Sequence, residues 1–198
     1  MSTIGNRAVA VFAAVAAAVS PAVATAGPAA DKVAAAEALL KQPDAAIDAL
    51  KAFDDAIDAF WMTMPLTFRA VTFADSVTAY GQYVPRKEAV FHPGEQVQVY
   101  VALAGYGFRP INTGYRVDFS VAIQIRTPSG SVLARADDFG QLTRDASVES
   151  HEFAAGLPVT LPYLKPGDYI LRLALRDNQN GKLAGADLPI TVVAMPMP

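Results

Sequence analysis

Side chains able to do chemistry are few and scattered in this chain. Histidine occurs only at His92 and His151, and cysteine is absent. A zinc site takes three or four ligands, so two distant histidines do not define one, and thiol catalysis is excluded. Ser147 and Ser150 lie beside His151, but the Gly-x-Ser-x-Gly elbow of a serine hydrolase is missing. The sequence therefore indicates no catalytic residue, no cofactor and no metal.

Paired carboxylates occur at Asp54-Asp55 and at Asp137-Asp138. Glycosidases use two opposed carboxylates about 5 to 9 Å apart. Adjacent residues of a helix or strand point in different directions, so neither pair qualifies by itself. Asp118, Asp137 and Asp138 nevertheless support one alternative function. In that alternative the protein is a hydrolase, or an accessory domain of one, acting on envelope polysaccharide or peptide.

The densest group of candidate contact residues is GYGFRPINTGYR, residues 105 to 116. Its first two glycines fit a dinucleotide-binding loop, but position 110 is proline and a strand pattern follows instead of a helix. We therefore expect a long loop between two strands. Either its side chains stack on a sugar or peptide and bind a carboxylate, or its rings fill the end of the core while its arginines pair with Asp118 or another acid. The candidate partner-binding residues are Tyr106, Phe108, Arg109, Tyr115 and Arg116.

Two helices are expected before the strands. Pro28 suits the first turn of one helix, and Asp44, after Pro43, is predicted to cap the second. The apolar stripe of that second helix either packs on the sandwich or is a face for self-association or for a partner. A self-association or partner-binding face would make the protein a structural subunit. The stripe consists of large side chains at spacings of 3, 3, 4 and 3: Ile47, Leu50, Phe53, Ile57 and Phe60.

From residue 65 onward the apolar period becomes two, as in half-buried strands. Turn residues separate the strands, and no helical pattern connects them. About seven short strands therefore predict a mainly β fold, an antiparallel β-sandwich preceded by two α-helices. Strong alternation covers 97–103, 115–126 and 169–175, and weaker strands are expected near 69–74, 132–136, 149–155 and 188–193.

Two turn-and-strand motifs resemble immunoglobulin-like or fibronectin-like modules. Leu164-Lys165-Pro166-Gly167-Asp168-Tyr169 is similar to the turn before the penultimate strand, and Phe91-x-Pro93-Gly94-Glu95-x-Val97 to the start of a core strand. The resemblance covers roughly residues 69 to 194. It implies an immunoglobulin-like sandwich, a corner tyrosine at Tyr169 and a broad role in binding, and it carries over no active site. The disulfide and core tryptophan of antibody domains are missing, since Trp61 lies in the helical part.

Residues 1 to 26 have the order of a secretory signal peptide. Arg7 precedes an apolar run of twelve residues, and Ala24-Thr25-Ala26 supplies the small-x-small cleavage pattern. A helix of that run would reach only about 18 Å, too short for a hydrocarbon core of roughly 30 Å. The expected organisation is a signal peptide over 1–26, a helical segment over 27–64 and an immunoglobulin-like sandwich over 65–198. Cleavage after Ala26 would place the protein in the periplasm or outside the cell.

The expected mature chain is mildly acidic. Removing Arg7 from the 16 basic residues leaves 15 against 19 acidic ones, a net charge of −4 with neutral histidines. A nucleic-acid partner would require a basic stripe, which is missing. These features predict a non-enzymatic exported binding or assembly protein of the bacterial periplasm or cell surface. Its partner would be a protein, peptide or glycan of the envelope, contacted through loops at one end of the sandwich.

Overall fold

The computed structural model describes residues 27 to 195, so the predicted signal peptide lies outside the described residues. Two helices precede ten strands in the described part of the chain. No helix there combines the length and apolar character needed to cross a bilayer. The elements are α1 (Pro28–Leu40), α2 (Ala46–Thr63), β1 (Thr67–Ala79), β2 (Gln82–Pro85), β3 (Val90–Phe91), β4 (Gln96–Ala104), β5 (Arg109–Ile111), β6 (Gly114–Arg126), β7 (Val132–Ala146), β8 (Phe153–Thr160), β9 (Gly167–Asp177) and β10 (Leu183–Val192).

The two helices form a hairpin. Pro28 occupies the first turn of α1, as the sequence predicts. The predicted cap of α2 is wrong: the capping position is Ala45, with no side-chain hydrogen bond. Asp44 instead lies in the turn with φ of 61°, a left-handed conformation that aspartate tolerates better than most residues. Its backbone is therefore used to reverse the chain.

Small side chains hold the hairpin together. Four alanines of α2 are buried or half-buried and recur at spacings of 3, 4 and 3: Ala49, Ala52, Ala56 and Ala59. Because α1 is the main element packed on α2, this alanine seam faces α1, where Ala36 is buried and Val33 half-buried. Small residues allow two helix axes to approach closely. The large apolar stripe lies beside the seam and stays exposed.

The strands form two facing sheets. One has the order β2-β1-β4-β8, and the other has the order β3-β10-β9-β6, with β7 and the short β5 both paired to β6. All pairings are antiparallel except the two-residue contact of β3 with β10. The predicted alternation places Val99 and Val101 of β4, Phe119 of β6 and Leu173 of β9 in the core between the sheets. The mainly β, immunoglobulin-like sandwich with two N-terminal helices is thus confirmed.

A tyrosine corner ties down the turn before β9. The Tyr169 hydroxyl donates a hydrogen bond of 2.8 Å to the carbonyl oxygen of Lys165, four residues upstream. This is the contact that the resemblance to immunoglobulin-like modules implies for Tyr169.

Strand β4 is buried on both faces, although its sequence predicts one exposed face. The β1–β2 hairpin covers the outer face, where the rings of Tyr83 of β2 and Tyr100 stack with their centroids 3.9 Å apart. The backbone N–H of Gly81 donates to the Tyr100 hydroxyl at 2.9 Å. Tyr100 therefore serves a second, smaller core.

Several strand boundaries differ from the prediction: β1 ends five residues later and β10 begins five residues earlier than expected, and β7 and β8 also differ. Strand β7 extends to Ala146, ten residues beyond the expected end, because it follows the whole length of β6. The strand predicted over 149–155 begins only at Phe153, which pairs with Leu103 and enters the core. Residues 147–152, including His151, instead form the connection between β7 and β8.

Candidate functional site

The stretch 105–116 is not the single long loop that the sequence predicts. Only residues 105–108 are irregular, after which β5 pairs with the start of β6 in a tight hairpin. Gly105 begins the segment with φ of 76°, and a Cβ there would collide with the carbonyl of Pro65. The glycine is therefore required for the chain to pass close beneath the end of α2.

Tyr106 fills the end of the core. Its side chain has no exposed surface, and its hydroxyl donates a hydrogen bond of 2.6 Å to the carbonyl oxygen of Ser150. Its ring meets those of Trp61 and Phe119 edge to face, with centroids 5.0 and 5.8 Å apart. Burial raises the pKa of Tyr106 well above the ordinary value of a phenol. Of the two roles considered for this ring, the structure assigns the filling of the core.

The remaining candidate residues are more accessible. Phe108 is half-buried with its ring 5.3 Å from that of Tyr106, and Tyr115 is half-buried on β6. Arg109 alone among the five is exposed. The five residues therefore share one end of the sandwich, but they do not form an open aromatic platform.

Arg116 is paired with an acid. Its Nε and Nη2 atoms donate to the two carboxylate oxygens of Asp145 at 2.6 and 2.7 Å. The hydrogen bond and the opposite charge raise the pKa of Arg116, and the hydrogen bonds from Arg116 lower the pKa of Asp145. The sequence left the acid open as Asp118 or another, and it is Asp145, while the Asp118 carboxylate accepts a bond of 3.2 Å from the Thr143 hydroxyl.

Trp61, near the end of α2, joins the helical hairpin to the sandwich. It is 3% exposed, and its Nε1–H donates a hydrogen bond of 2.8 Å to the carbonyl oxygen of Tyr106. The His151 ring lies 4.1 Å from the Trp61 ring, and the Arg69 guanidinium lies 5.5 Å from it. His151 Nε2 is also 3.3 Å from Asp58 Oδ1, close enough for an ion pair with a protonated ring but not aligned as a hydrogen bond.

Lys182 caps the C-terminal end of α2. Its Nζ donates to the carbonyl oxygens of Met62, Met64 and Gly105 at 3.1, 2.7 and 2.9 Å. The last turn of α2 contains no basic residue of its own. An ammonium group from the connection between β9 and β10 therefore satisfies the free carbonyls and the negative end of the helix dipole.

Asp177 fixes the irregular segment from the other side. It is fully buried, and its Oδ2 and Oδ1 accept backbone N–H bonds from Gly107 and Gln179 at 2.7 and 2.8 Å. One buried side chain thus holds two backbone N–H groups in place. We use the term anchor for Trp61, Tyr106, Asp177 and Lys182, which together hold α2 on the end of the sandwich.

The anchor leaves one side of α2 uncovered, and we call its five large residues the apolar face. Ile47, Leu50, Phe53, Ile57 and Phe60 are 64%, 57%, 44%, 40% and 58% exposed. Taking about 200 Å² for each such side chain, the accessible area is roughly 500 Å². Leu50 and Phe53 also border a groove of about 380 Å³ between the helices, with Ala36, Leu40 and Ala49 on its other sides. An apolar patch larger than a few hundred Å² on a folded domain is typical of an interaction site.

Charge is unevenly distributed over the molecule. Residues 27–64 contain seven acidic and three basic side chains, a net charge of −4. Residues 65–198 contain twelve of each, so the sandwich is neutral when both histidines are neutral. The excess negative charge of residues 27–198 therefore belongs to the segment that bears the apolar face.

The scattered titratable residues do not converge. His92 and His151 precede β4 and β8, and because these strands are antiparallel partners the histidines lie at opposite ends, about 25 Å apart. Asp118 lies on β6 four to five residues from the position opposite Asp137, which separates the two acids by about 15 Å. The described residues contain no group of three or more potential metal ligands.

Comparisons with known proteins return structural neighbours only. No protein-family model and no curated protein matches the chain. Among solved structures, the PKD domain of an M14-like peptidase from a Thermoplasmatales archaeon is 12% identical, with a TM-score of 0.35, over 65% of this chain and 96% of its own. The C-terminal domain of wzt is 15% identical, with a TM-score of 0.38, over 69% and 78%. The CARDB domain of a Pyrococcus furiosus protein is 14% identical, with a TM-score of 0.32, over 66% and 90%. The chain is thus similar at low identity to several immunoglobulin-like β-sandwich domains, and its own strand order and registers define its fold.

Proposed function

We propose that this protein is a non-enzymatic exported binding or assembly protein of the bacterial periplasm or cell surface, and that its partner docks on the apolar face of α2. The observation that supports this proposal is the combination of the exposed apolar face with the buried anchor. Because Trp61 and Lys182 hold the last turn of α2, the face is displayed in a fixed position.

The loops at the end of the sandwich have a different role in this proposal from the one that the sequence suggested. Tyr106 is buried and Arg116 is paired with Asp145, so neither is free to receive a ligand. Their neighbours Phe108 and Arg109 remain accessible at the margin of the junction. In this proposal the helical hairpin packs on these loops, and the hairpin is the surface that contacts the partner.

Photo-crosslinking tests the proposal directly. Benzoylphenylalanine replaces Leu50 or Phe53 on the apolar face, and the full chain is produced in cells that export it. A matched control carries the same group at Val148, an apolar side chain that is 65% exposed on the connection between β7 and β8. We expect one discrete adduct from the two face positions and none from Val148, and mass spectrometry identifies the attached protein.

Each other outcome would count against the proposal. Absence of an adduct at both face positions would show that the apolar face is not the contact surface. Equal adducts at Val148 would show that the labelling is nonspecific. An adduct with twice the mass of the chain would establish the structural-subunit alternative, in which the helices self-associate. If purified protein cleaved envelope polysaccharide or peptide, the hydrolase alternative would replace the proposal.

A further inference from the structure

We infer that the partner segment is a basic amphipathic α-helix that lies along α2 as a third helix of a bundle. The inference rests on the proposed function, since it names the chemistry of what the apolar face receives. It combines two independent observations, the shape of the uncovered surface and the location of the net charge.

The shape of the surface fits a helix. Helix α2 has 18 residues and is therefore about 27 Å long. Its apolar face follows the i, i+3, i+4, i+7 pattern by which one helix recognises another. The groove between α1 and α2 supplies a depression beside this ridge, lined mainly by alanine and leucine side chains. Neighbouring helices pack with axes about 8 to 10 Å apart, so a single helix would cover both the ridge and the groove.

The charge next to the face selects a basic partner. Asp54 lies four residues after Leu50 and three before Ile57, so its carboxylate borders the apolar face. Asp54 and Asp55 are exposed and make no ion pair among the described residues. Glu37 lines the groove from α1. Lys51 is the one basic residue within α2, and its Nζ lies 3.8 Å from Asp48.

Two other occupants fit these charges less well. A second copy would bring another helical segment of net charge −4 against the first, and like charges across an interface oppose association. An anionic bilayer attracts amphipathic helices whose polar side is rich in lysine and arginine, whereas the polar side of α2 is mainly aspartate. Both occupants are outcomes of the experiment below.

The test uses three labelled synthetic peptides of 18 residues and the full chain from residue 27. The first peptide carries leucine at i, i+3, i+4 and i+7 with flanking lysines, the second replaces every lysine by glutamate, and the third scrambles the first. Fluorescence anisotropy should show that the lysine peptide binds about tenfold more tightly than the glutamate peptide at low salt. The difference should shrink at about 0.5 M salt, where charges are screened. The scrambled peptide should not bind measurably.

Two charge variants connect the preference to the hairpin. The triple change Asp48→Asn, Asp54→Asn, Asp55→Asn should abolish the preference for the lysine peptide. The control Asp137→Asn, Asp138→Asn removes two exposed acids of β7 and should leave the preference unchanged. Circular dichroism confirms that both variants retain the fold.

The results separate failure of this inference from failure of the proposed function. Equal binding of the lysine and glutamate peptides would overturn the inference that the partner helix is basic, but it would leave the apolar face as a contact surface. No binding by either peptide would overturn both the partner and the use of this face. Tight binding of the scrambled peptide, a dimer in light scattering, or sedimentation with phosphatidylglycerol vesicles would each replace the proposed helix by another occupant.

Discussion

Replacement of Trp61 should separate the anchor from the apolar face, because Phe60 and Trp61 are adjacent aromatic residues in opposite environments. Phe60 is 58% exposed and Trp61 is 3% exposed. Trp61→Ala removes a buried ring of about 200 Å², worth about 5 kcal/mol at 25 cal/mol per Å². This agrees with the roughly 3 to 5 kcal/mol usually lost when a core tryptophan becomes alanine.

Trp61→Phe isolates the hydrogen bond from the ring. It keeps most of the apolar contact with Tyr106 but removes the Nε1–H that donates to the Tyr106 carbonyl at 2.8 Å. A buried carbonyl left without its donor costs about 1 to 3 kcal/mol, so we expect a loss in that range. Phe60→Ala removes a comparable ring from the exposed side and should change the free energy of unfolding by less than about 1 kcal/mol.

Urea denaturation followed by far-ultraviolet circular dichroism measures all three variants without relying on tryptophan fluorescence. Limited proteolysis provides a second measurement, since loss of the anchor should expose the chain between α2 and β1 to cleavage. Equal destabilisation by Phe60→Ala and Trp61→Ala would show that α2 is not held by Trp61. If Trp61→Phe left the free energy of unfolding unchanged, the Trp61 hydrogen bond would not contribute to the anchor.

Three further predictions concern single contacts. Lys182→Met should lower the free energy of unfolding by about 1 to 3 kcal/mol and speed amide exchange in the last turn of α2; unchanged exchange would contradict the capping role. Tyr169→Phe should cost about 1 kcal/mol through loss of the 2.8 Å bond to Lys165, measured as a lower Tm, and an unchanged Tm would refute it. Because Arg116 lowers the pKa of Asp145, their pairing stabilises the fold above the ordinary aspartate pKa and loses this effect as pH falls through the lowered value. The Tm difference between wild type and Arg116→Gln should therefore shrink between about pH 5 and pH 2, and a constant difference would exclude the ion pair as its cause.

The strands were predictable because alternation reports burial directly. Val99 and Val101 lie in the core as their period of two requires, and Tyr169 makes the corner hydrogen bond. The strand expected over 149–155 was misplaced because Phe153 and its neighbours are apolar while the boundary is set by pairing with β4. A local pattern contains no information about where a distant partner strand ends.

The helical hairpin shows a different limit of sequence reasoning. The strongest sequence pattern in α2 is the large apolar stripe. That pattern alone does not decide whether the stripe packs on the sandwich or faces solvent. The structure leaves the stripe exposed and packs the weaker pattern of alanines against α1. The anchor residues that hold α2 in place come from three separate parts of the chain, namely Trp61, Tyr106 and the turn that carries Asp177 and Lys182. These residues meet only in the tertiary fold, so no sequence motif predicts their contacts.

The position of Lys182 also has a consequence for the order of folding. Its ammonium group joins carbonyls that lie 120, 118 and 77 residues earlier in the chain. During synthesis the hairpin therefore emerges well before the lysine whose ammonium group caps it. We therefore expect α2 to dock late in folding, after the β9–β10 hairpin that carries Lys182 has joined the sheet. Substitutions at Trp61 should accordingly speed unfolding with little effect on the refolding rate, a φ-value near zero that stopped-flow kinetics would measure.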